Sequence, residues 1–177
     1  MSGILTLTLW AISVLPFAFI TETSGATPDI QSEKQSILNK VADEVQVEIS
    51  LGQLAAQRAR NEQVKEFGED MVKDHKKVSQ QIELLALKQG VKLSPGNNNE
   101  QHQKKLEELS KLSGHAFDRE YMDYSIRDHE ITVEEFRRRV GVVQDQDIKQ
   151  WIILVLPIFE EHRQKAYRVK NSLQTNP

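Results

Sequence analysis

The stretch from Val64 to Leu85, VKEFGEDMVKDHKKVSQQIELL, decides the fold of this chain. Its apolar residues recur every three or four positions, which is the spacing of one face of an α-helix. The same spacing returns in three other segments, and no alternation of the β type stands out. The sequence therefore predicts four long amphipathic helices. They cover about 33–60, about 62–89, from Ser113-Gly114 to about Gly141, and from Asp145 or Asp147 to about Leu173.

The connections between these helices predict how they are arranged. The first two helices and the last two are separated by short turns, whereas the second and third are separated by a longer connection. That connection contains Ser94-Pro95-Gly96, which favours a loop, and a polar stretch over 100–112 that predicts a short extra helix. Two helical hairpins joined by a long crossover are typical of a ferritin-like four-helix bundle. We therefore predict an all-α bundle domain over 33–173, with a flexible segment over 27–32.

The first 26 residues differ from the rest of the chain. Residues 4–20 are nearly all apolar, carry no charge and are interrupted by Pro16, and Ser24-Gly25-Ala26 follows. This pattern predicts a signal peptide over 1–26 and a periplasmic or otherwise exported protein. After cleavage we expect no stable membrane insertion. The start of the segment lacks Lys and Arg, which leaves an uncleaved membrane anchor as the alternative.

Composition narrows the classes of function. The chain has no cysteine, which excludes disulfides, thiolate metal sites and cysteine catalysis. Its net charge of −3 and the lack of a basic block give no support to nucleic-acid binding. Because there is no glycine-rich phosphate loop and no nucleophile elbow, we assign no catalytic residue. The expected partners are an envelope protein or a second copy of the chain.

One ionisable residue lies on the apolar stripe of each predicted helix, where a water-seeking group is costly unless something satisfies it. All four positions are near mid-helix, and mid-helix positions share one layer in an antiparallel bundle. Three imidazoles and one carboxylate in such a layer suit a divalent transition metal such as zinc, copper, iron or nickel. The predicted ligands are Glu48, His75, His129 and His162.

Each of these histidines follows an acidic residue. Asp74, Asp128 and Glu161 are turned about 100° from the stripe. They are predicted to be further ligands or acceptors that hold an imidazole of a neighbouring helix in one tautomer. Met71, one turn before His75, would favour copper if it took part.

Two interpretations of these residues that involve no metal remain open. In the first, the same residues hydrogen-bond to one another and only fix the register of the helices, as in a structural or stress-related envelope protein. In the second, small helix rotations place the acid-histidine pairs at the helix boundaries, where they face water.

Several blocks of the sequence resemble the bacterial family called domain of unknown function 4142, over about residues 37–170. The resemblance implies an exported, ferritin-like bundle and brings no established reaction. The blocks are Leu51-Gly52-Gln53-Leu54-Ala55, Met71-Val72-Lys73-Asp74-His75, Ser113-Gly114 with Ala116-Phe117-Asp118-Arg119-Glu120-Tyr121, and Leu156-Pro157 with Glu161-His162. The recurrent polar positions of the family correspond to Glu48, Asp74, His75, Asp118, Tyr121, His129 and His162, which adds Asp118 and Tyr121 to the expected supporting residues.

The chain differs from the di-iron members of the wider ferritin-like group, which carry Glu-x-x-His on two helices. The residues three positions before the stripe histidines are Val72, Ile126 and Phe159. A di-iron centre is therefore not expected, and a mononuclear site fits the sequence better.

Overall fold

A computed structural model describes residues 30–94 and 100–175, and all regular structure within these ranges is helical. The predicted all-α fold with an extra helix in the long connection is confirmed. None of the helices in the described ranges combines the length and apolar composition that a membrane span needs. The predicted signal peptide over 1–26 lies outside the described residues. The helices are α1 (Ile30–Arg58), α2 (Glu62–Lys88), α3 (Glu100–Ser110), α4 (Gly114–Val142) and α5 (Gln146–Thr175).

Contacts between helix ends define the topology. Asp118, in the second turn of α4, accepts a hydrogen bond from the backbone N–H of Asn61 at the start of α2. Lys88, at the end of α2, forms an ion pair with Asp147 in the first turn of α5. Therefore α2 and α4 run in the same direction, and the connection between them crosses the length of the bundle. This crossover is the ferritin-like arrangement.

The helix boundaries differ from the predicted ones at the start of α1 and at the end of α3. Helix α1 begins at Ile30, so the last three residues of the segment predicted to be flexible are helical, and 27–29 lie outside the described residues. The apolar stripe starts only at Ile37, but Lys34 pairs with Asp145 at 2.7 Å and anchors the earlier turn. Helix α3 ends at Ser110, two residues before the predicted end.

The core is divided into two hydrophobic clusters, one toward each end of the bundle. On α2, Met71 belongs to one cluster and Val78 to the other, and His75 lies between them. On α5, Phe159 and Ala166 flank His162 in the same way. The predicted shared layer of mid-helix polar residues is therefore the boundary between the two clusters. The buried members of this layer are Glu48, His75, His129 and His162.

Helices α1 and α2 are in very close contact beside this layer. A Cβ atom at Gly68 would lie 2.7 Å from the Cβ of Ala55 and 2.8 Å from the carbonyl oxygen of Gly52. Real Cβ atoms do not approach other atoms so closely, so the two helices can pack at this distance only because both glycines lack a side chain. This crossing fixes α2, and with it His75, against α1.

Candidate metal site

Three histidines from three helices meet inside the bundle. His75, His129 and His162 are 0%, 1% and 3% exposed, respectively. Their ring centroids are separated by 5.8 Å (His75–His129), 5.6 Å (His129–His162) and 5.1 Å (His75–His162). One ring nitrogen of each histidine lies within 4.8 Å of a ring nitrogen of each of the others. This spacing is short enough for a single metal ion to contact all three imidazoles.

The first two of these imidazoles are held by their own helices. His75 Nδ1 lies 3.1 Å from the carbonyl oxygen of Met71, and His129 Nδ1 lies 2.9 Å from that of Ser125. A carbonyl oxygen can only accept, so both Nδ1 atoms carry the proton and donate it. In the neutral form, the lone pair is then on Nε2.

The third imidazole is held from a neighbouring helix. His162 Nε2 lies 3.3 Å from Asp74 Oδ2, so it donates to the carboxylate and its lone pair is on Nδ1. Although partial burial acts to raise it, hydrogen bonds from Lys77 and His162 lower the pKa of Asp74. Asp74 is therefore an ionised acceptor at neutral pH. This is the role predicted for an acidic neighbour, namely to orient the imidazole of another helix.

The remaining nitrogens of the three rings have no hydrogen-bond partner among the described residues, although they are buried. They are His75 Nε2, His129 Nε2 and His162 Nδ1. A buried polar atom without a partner costs on the order of 1–3 kcal/mol. A cation that bound these three nitrogens would satisfy their lone pairs. The donor set therefore fits a transition metal.

The protonation states also suit a metal. Burial lowers the pKa of His75 well below its usual range, with a further contribution from His129 and His162. Burial lowers the pKa of His129 to about 4, although the charge of Asp128 opposes the shift. Burial likewise lowers the pKa of His162, against the effect of Asp74. All three imidazoles are thus neutral at pH 7, which is the form that binds metal ions.

Glu48 belongs to a second, overlapping group. Ligand atoms of Glu48, Asp128 and His129 lie within 4.8 Å of one another. Glu48 is 3% exposed, and neither of its oxygens has a hydrogen-bond partner of ordinary geometry. Burial raises its pKa well above the usual range, and the nearby carboxylates of Asp128 and Glu44 add to the shift. The four predicted ligands therefore form two groups that share His129, rather than one.

The structure separates the predicted supporting residues. Met71 and Asp74 hold His75 and His162, through a backbone carbonyl and a carboxylate, respectively. Asp128 joins the second group. Glu161, whose supporting role stays a prediction, is exposed on α5 and belongs to neither group. The reason is that the turn of about 100° from His162 directs Glu161 to solvent, whereas the same turn directs Asp74 toward α5.

The two supporting residues taken from the family resemblance lie toward the α1–α2 turn. Asp118 accepts hydrogen bonds of 3.0 Å from the backbone N–H groups of Arg60 and Asn61, and it belongs to neither metal-ligand group. It caps the turn, and its supporting role at the metal site stays a prediction. Tyr121 is buried, and its ring stacks on that of Phe117 with 5.8 Å between the ring centroids. Burial, together with the charge of Glu48, raises its pKa.

Two residues near the site were not predicted. Glu44, one turn before Glu48 on α1, is largely buried, and this burial raises its pKa to about 7. The spacing of Glu44 and Glu48 was a signal in the sequence, but Glu44 lies off the apolar stripe. The ring of Phe159 packs against those of His75 and His129, with 5.3 and 5.9 Å between the ring centroids. The predicted apolar stripe of this helix runs through Ile158 rather than Phe159, so neither the burial of Phe159 nor its contact with the histidines was predicted.

The helix order, the long crossover and the buried polar layer define a ferritin-like helical bundle. The model of the family described as domain of unknown function (DUF4142) matches residues 20–169, and the chain belongs to that family. This confirms the resemblance seen in the sequence. A comparison with curated proteins gave no match.

A solved structure shares the fold. The crystal structure of a DUF305 fragment from Deinococcus radiodurans is similar with a TM-score of 0.66 and 14% sequence identity. The similarity covers 83% of this chain and 98% of the other. At this level of identity the similarity establishes the helical architecture alone, so the argument for function depends on the site.

Proposed function

We propose that this protein is an exported helical bundle that binds one transition-metal ion through His75, His129 and His162 and has no catalytic role. One observation carries the proposal: three buried imidazoles lie with a ring nitrogen of each within 4.8 Å of the others, and each ring has one hydrogen-bonded and one unpartnered nitrogen. Such outer hydrogen bonds fix the tautomer and raise the basicity of metal-binding histidines. If the layer served only to bury apolar surface, there would be less reason for each histidine to keep a hydrogen bond on one ring nitrogen.

The ligand chemistry indicates the class of metal. Neutral imidazoles suit zinc, copper, iron and nickel, whereas magnesium and calcium prefer oxygen ligands. The three rings are at most 3% exposed, which supports storage, buffering or sensing of an ion rather than catalysis on a substrate. In a catalytic site, an open coordination position would have to be accessible to the substrate.

Export is part of the proposal and depends on residues 1–26. We propose that these residues are removed and that the bundle acts outside the cytoplasm. The apolar run followed by Ser24-Gly25-Ala26 supports this. Fractionation of cells that express the full chain, followed by N-terminal sequencing, tests it. Recovery of an uncleaved, membrane-bound chain would support the anchor alternative.

Metal retention tests the binding function directly. The chain from Thr27 onward, without a tag, is stripped with a chelator and incubated separately with Zn²⁺, Cu²⁺, Fe²⁺ and Ni²⁺. After desalting, we expect one ion per chain for at least one metal. His129→Ala should abolish retention, whereas the exposed His115→Ala should preserve it. A wild-type protein that retains no metal in stoichiometric amount would refute the proposal.

A structural role of the layer is the second candidate, and ring packing favours it. His75 and His162 stack with 20° between their planes, and Phe159 packs edge-on against His75. The histidines thus also act as aromatic core residues that set the register of the helices. Replacing His75 and His162 together by Leu distinguishes the two roles. Equal or greater stability with intact cellular function favours the structural role, whereas a folded protein without function favours the metal site.

A further inference from the structure

Three carboxylates lie together between α1 and α4, beside the three histidines. Glu44 and Glu48 are one turn apart on α1, and Asp128 of α4 lies close to both. Glu48 is the buried member, and its oxygens lie close to the carboxylate of Asp128, with which it can share a proton. Lys40 Nζ is 3.6 Å from Glu44, but Lys40 also pairs with Glu135. The buried end of this group therefore offers oxygen ligands for a cation.

His129 connects the carboxylates to the other histidines. Its Nδ1 donates to the carbonyl of Ser125, so only Nε2 has a free lone pair. One lone pair binds one cation at a time. The group of Glu48, Asp128 and His129 and the group of three histidines are therefore alternative positions for a single ion, rather than two sites that fill together.

The exposure of these side chains falls from the carboxylates to the histidines. The Glu44 side chain is 24% exposed, whereas the residues Glu48 and His75 are 3% and 0% exposed. On the other side of the site, the Asp74 side chain is 29% exposed but binds the outer nitrogen of His162. An ion that arrived there would meet the protonated edge of the ring. The side with the carboxylates gives access to free lone pairs.

We propose that Glu44, Glu48 and Asp128 form the entry side of the metal site. A divalent cation is first held by the carboxylates of Glu48 and Asp128 together with His129. It then passes to His75 and His162 while His129 keeps hold of it. The step is a ligand exchange, in which two carboxylates leave the ion and two neutral imidazoles bind it, with no change of oxidation state. Glu48 releases its proton to solvent when the ion arrives and takes one up again when the ion moves on. This inference rests on the proposed metal-binding function.

The rate of metal loading tests the inference. The untagged apoprotein from Thr27 onward is mixed with Co²⁺ in a stopped-flow instrument, and the visible absorption of the bound ion is followed. Glu48→Gln should load about tenfold more slowly than wild type, because a glutamine cannot release a proton and so cannot offer the incoming ion a carboxylate ligand. The final visible spectrum of its bound Co²⁺ and the number of ions bound per chain should equal those of wild type. Glu134→Gln, the same substitution at an exposed residue paired with Arg137, should load at the wild-type rate.

The outcomes separate this inference from the function on which it rests. If the wild type takes up no Co²⁺, the metal site itself is refuted. If the wild type binds Co²⁺ and Glu48→Gln loads equally fast, only the entry role is refuted. A changed final spectrum in Glu48→Gln would also overturn it, since Glu48 would then be a permanent ligand. Should Glu48→Gln fail to fold by circular dichroism, Asp128→Asn decides by the same criteria.

Discussion

His162 on α5 donates a hydrogen bond to Asp74 on α2, with 3.3 Å between Nε2 and Oδ2. Asp74 directly precedes His75 in the sequence, but it serves the histidine of another helix. His75 itself donates to the carbonyl of Met71. The acid-histidine dipeptide is therefore not a functional unit. In α2 the carboxylate of Asp74 holds the imidazole of His162, whereas His75 is held by Met71, and the carboxylate joins α2 to α5 beside the proposed metal.

Removing the charge of Asp74 should weaken metal binding without unfolding the protein. Asn in place of Asp74 accepts a weaker hydrogen bond from His162, so the imidazole is less basic and less firmly oriented. Loss of such an outer partner typically costs about 10–100-fold in metal affinity. We expect a reduction of this size for Asp74→Asn, measured by competition with a chelator of known affinity.

Asp70→Asn provides the matched control for this measurement. Asp70 lies one turn earlier on α2, where it pairs with Lys165 rather than with a histidine. The Asp70→Asn variant should bind the metal within about threefold of wild type. An exposed charge that makes no hydrogen bond to a histidine contributes little to metal affinity. Equal losses in both variants would point to general electrostatics instead of orientation of His162.

Metal binding should stabilise the fold through the same three histidines. A ligand that binds only the native state adds about 2.7 kcal/mol at a concentration of about 100 Kd. Thermal unfolding followed by circular dichroism should therefore shift to higher temperature when the preferred ion is added to wild type. The shift should vanish in His129→Ala and persist in His115→Ala. A shift that survives in His129→Ala would place the bound ion elsewhere.

The helices and their polar layer were predictable from the sequence because both depend on residue spacing. Burial of one helix face imposes the spacing of three and four on Met71, His75 and Val78, whatever the partner helices are. Residues at the same height on antiparallel helices then share a layer. The long crossover followed from the loop residues between the second and third long helices.

The grouping of side chains within the layer could not be predicted. It depends on the rotation of each helix and on the chosen side-chain conformers, which sequence periodicity does not define. Asp74 and Glu161 illustrate this, since both precede a stripe histidine and yet only Asp74 faces a neighbouring helix. Glu44 shows a second limit: it is largely buried by the side chains around it although it lies off the apolar stripe.

The stability of the metal-free protein should depend on pH through Glu48. Its pKa is raised in the folded state above the usual value of 4.5. As the pH rises above 4.5, the unfolded chain releases this proton while the folded protein retains it, so folding loses stability with a slope of up to about 1.4 kcal/mol per pH unit. Glu48→Gln should remove this loss. Its stability relative to wild type should therefore increase as the pH rises above 4.5.

Urea unfolding of both metal-free proteins at several pH values measures this difference. The histidines contribute a slope of opposite sign, because the pKa of His129 falls to about 4 in the folded state, but they are common to both proteins. A constant difference between variant and wild type across this range would mean that Glu48 does not hold a raised pKa. The same substitution is expected to slow metal loading, so stability and loading should change in opposite directions.

Asp118 should affect stability and leave the metal site unchanged. It accepts from two backbone N–H groups, of Arg60 and Asn61, in the turn between α1 and α2. In Asp118→Asn one of these donors would face an amide N–H₂ group, which cannot accept, and a lost buried hydrogen bond costs about 1–3 kcal/mol. We expect a loss of this size in urea unfolding, with metal stoichiometry and affinity unchanged. Lost metal binding in a folded Asp118→Asn protein would contradict its assignment as a cap.

The glycines between α1 and α2 should resist substitution although they lie in helices. Alanine ordinarily favours a helix over glycine by about 1 kcal/mol. A Cβ atom at Gly68 would lie 2.7 Å from that of Ala55, so Gly68→Ala must push the helices apart, at a cost of about 1–3 kcal/mol for overpacking. We expect net destabilisation. Gly141→Ala, near the end of α4 with no atom within 4 Å of the new methyl group, should instead stabilise the protein by about 0.5–1 kcal/mol. Urea unfolding of both variants checks the opposite signs, and a stabilised Gly68→Ala would refute the close packing of the two helices.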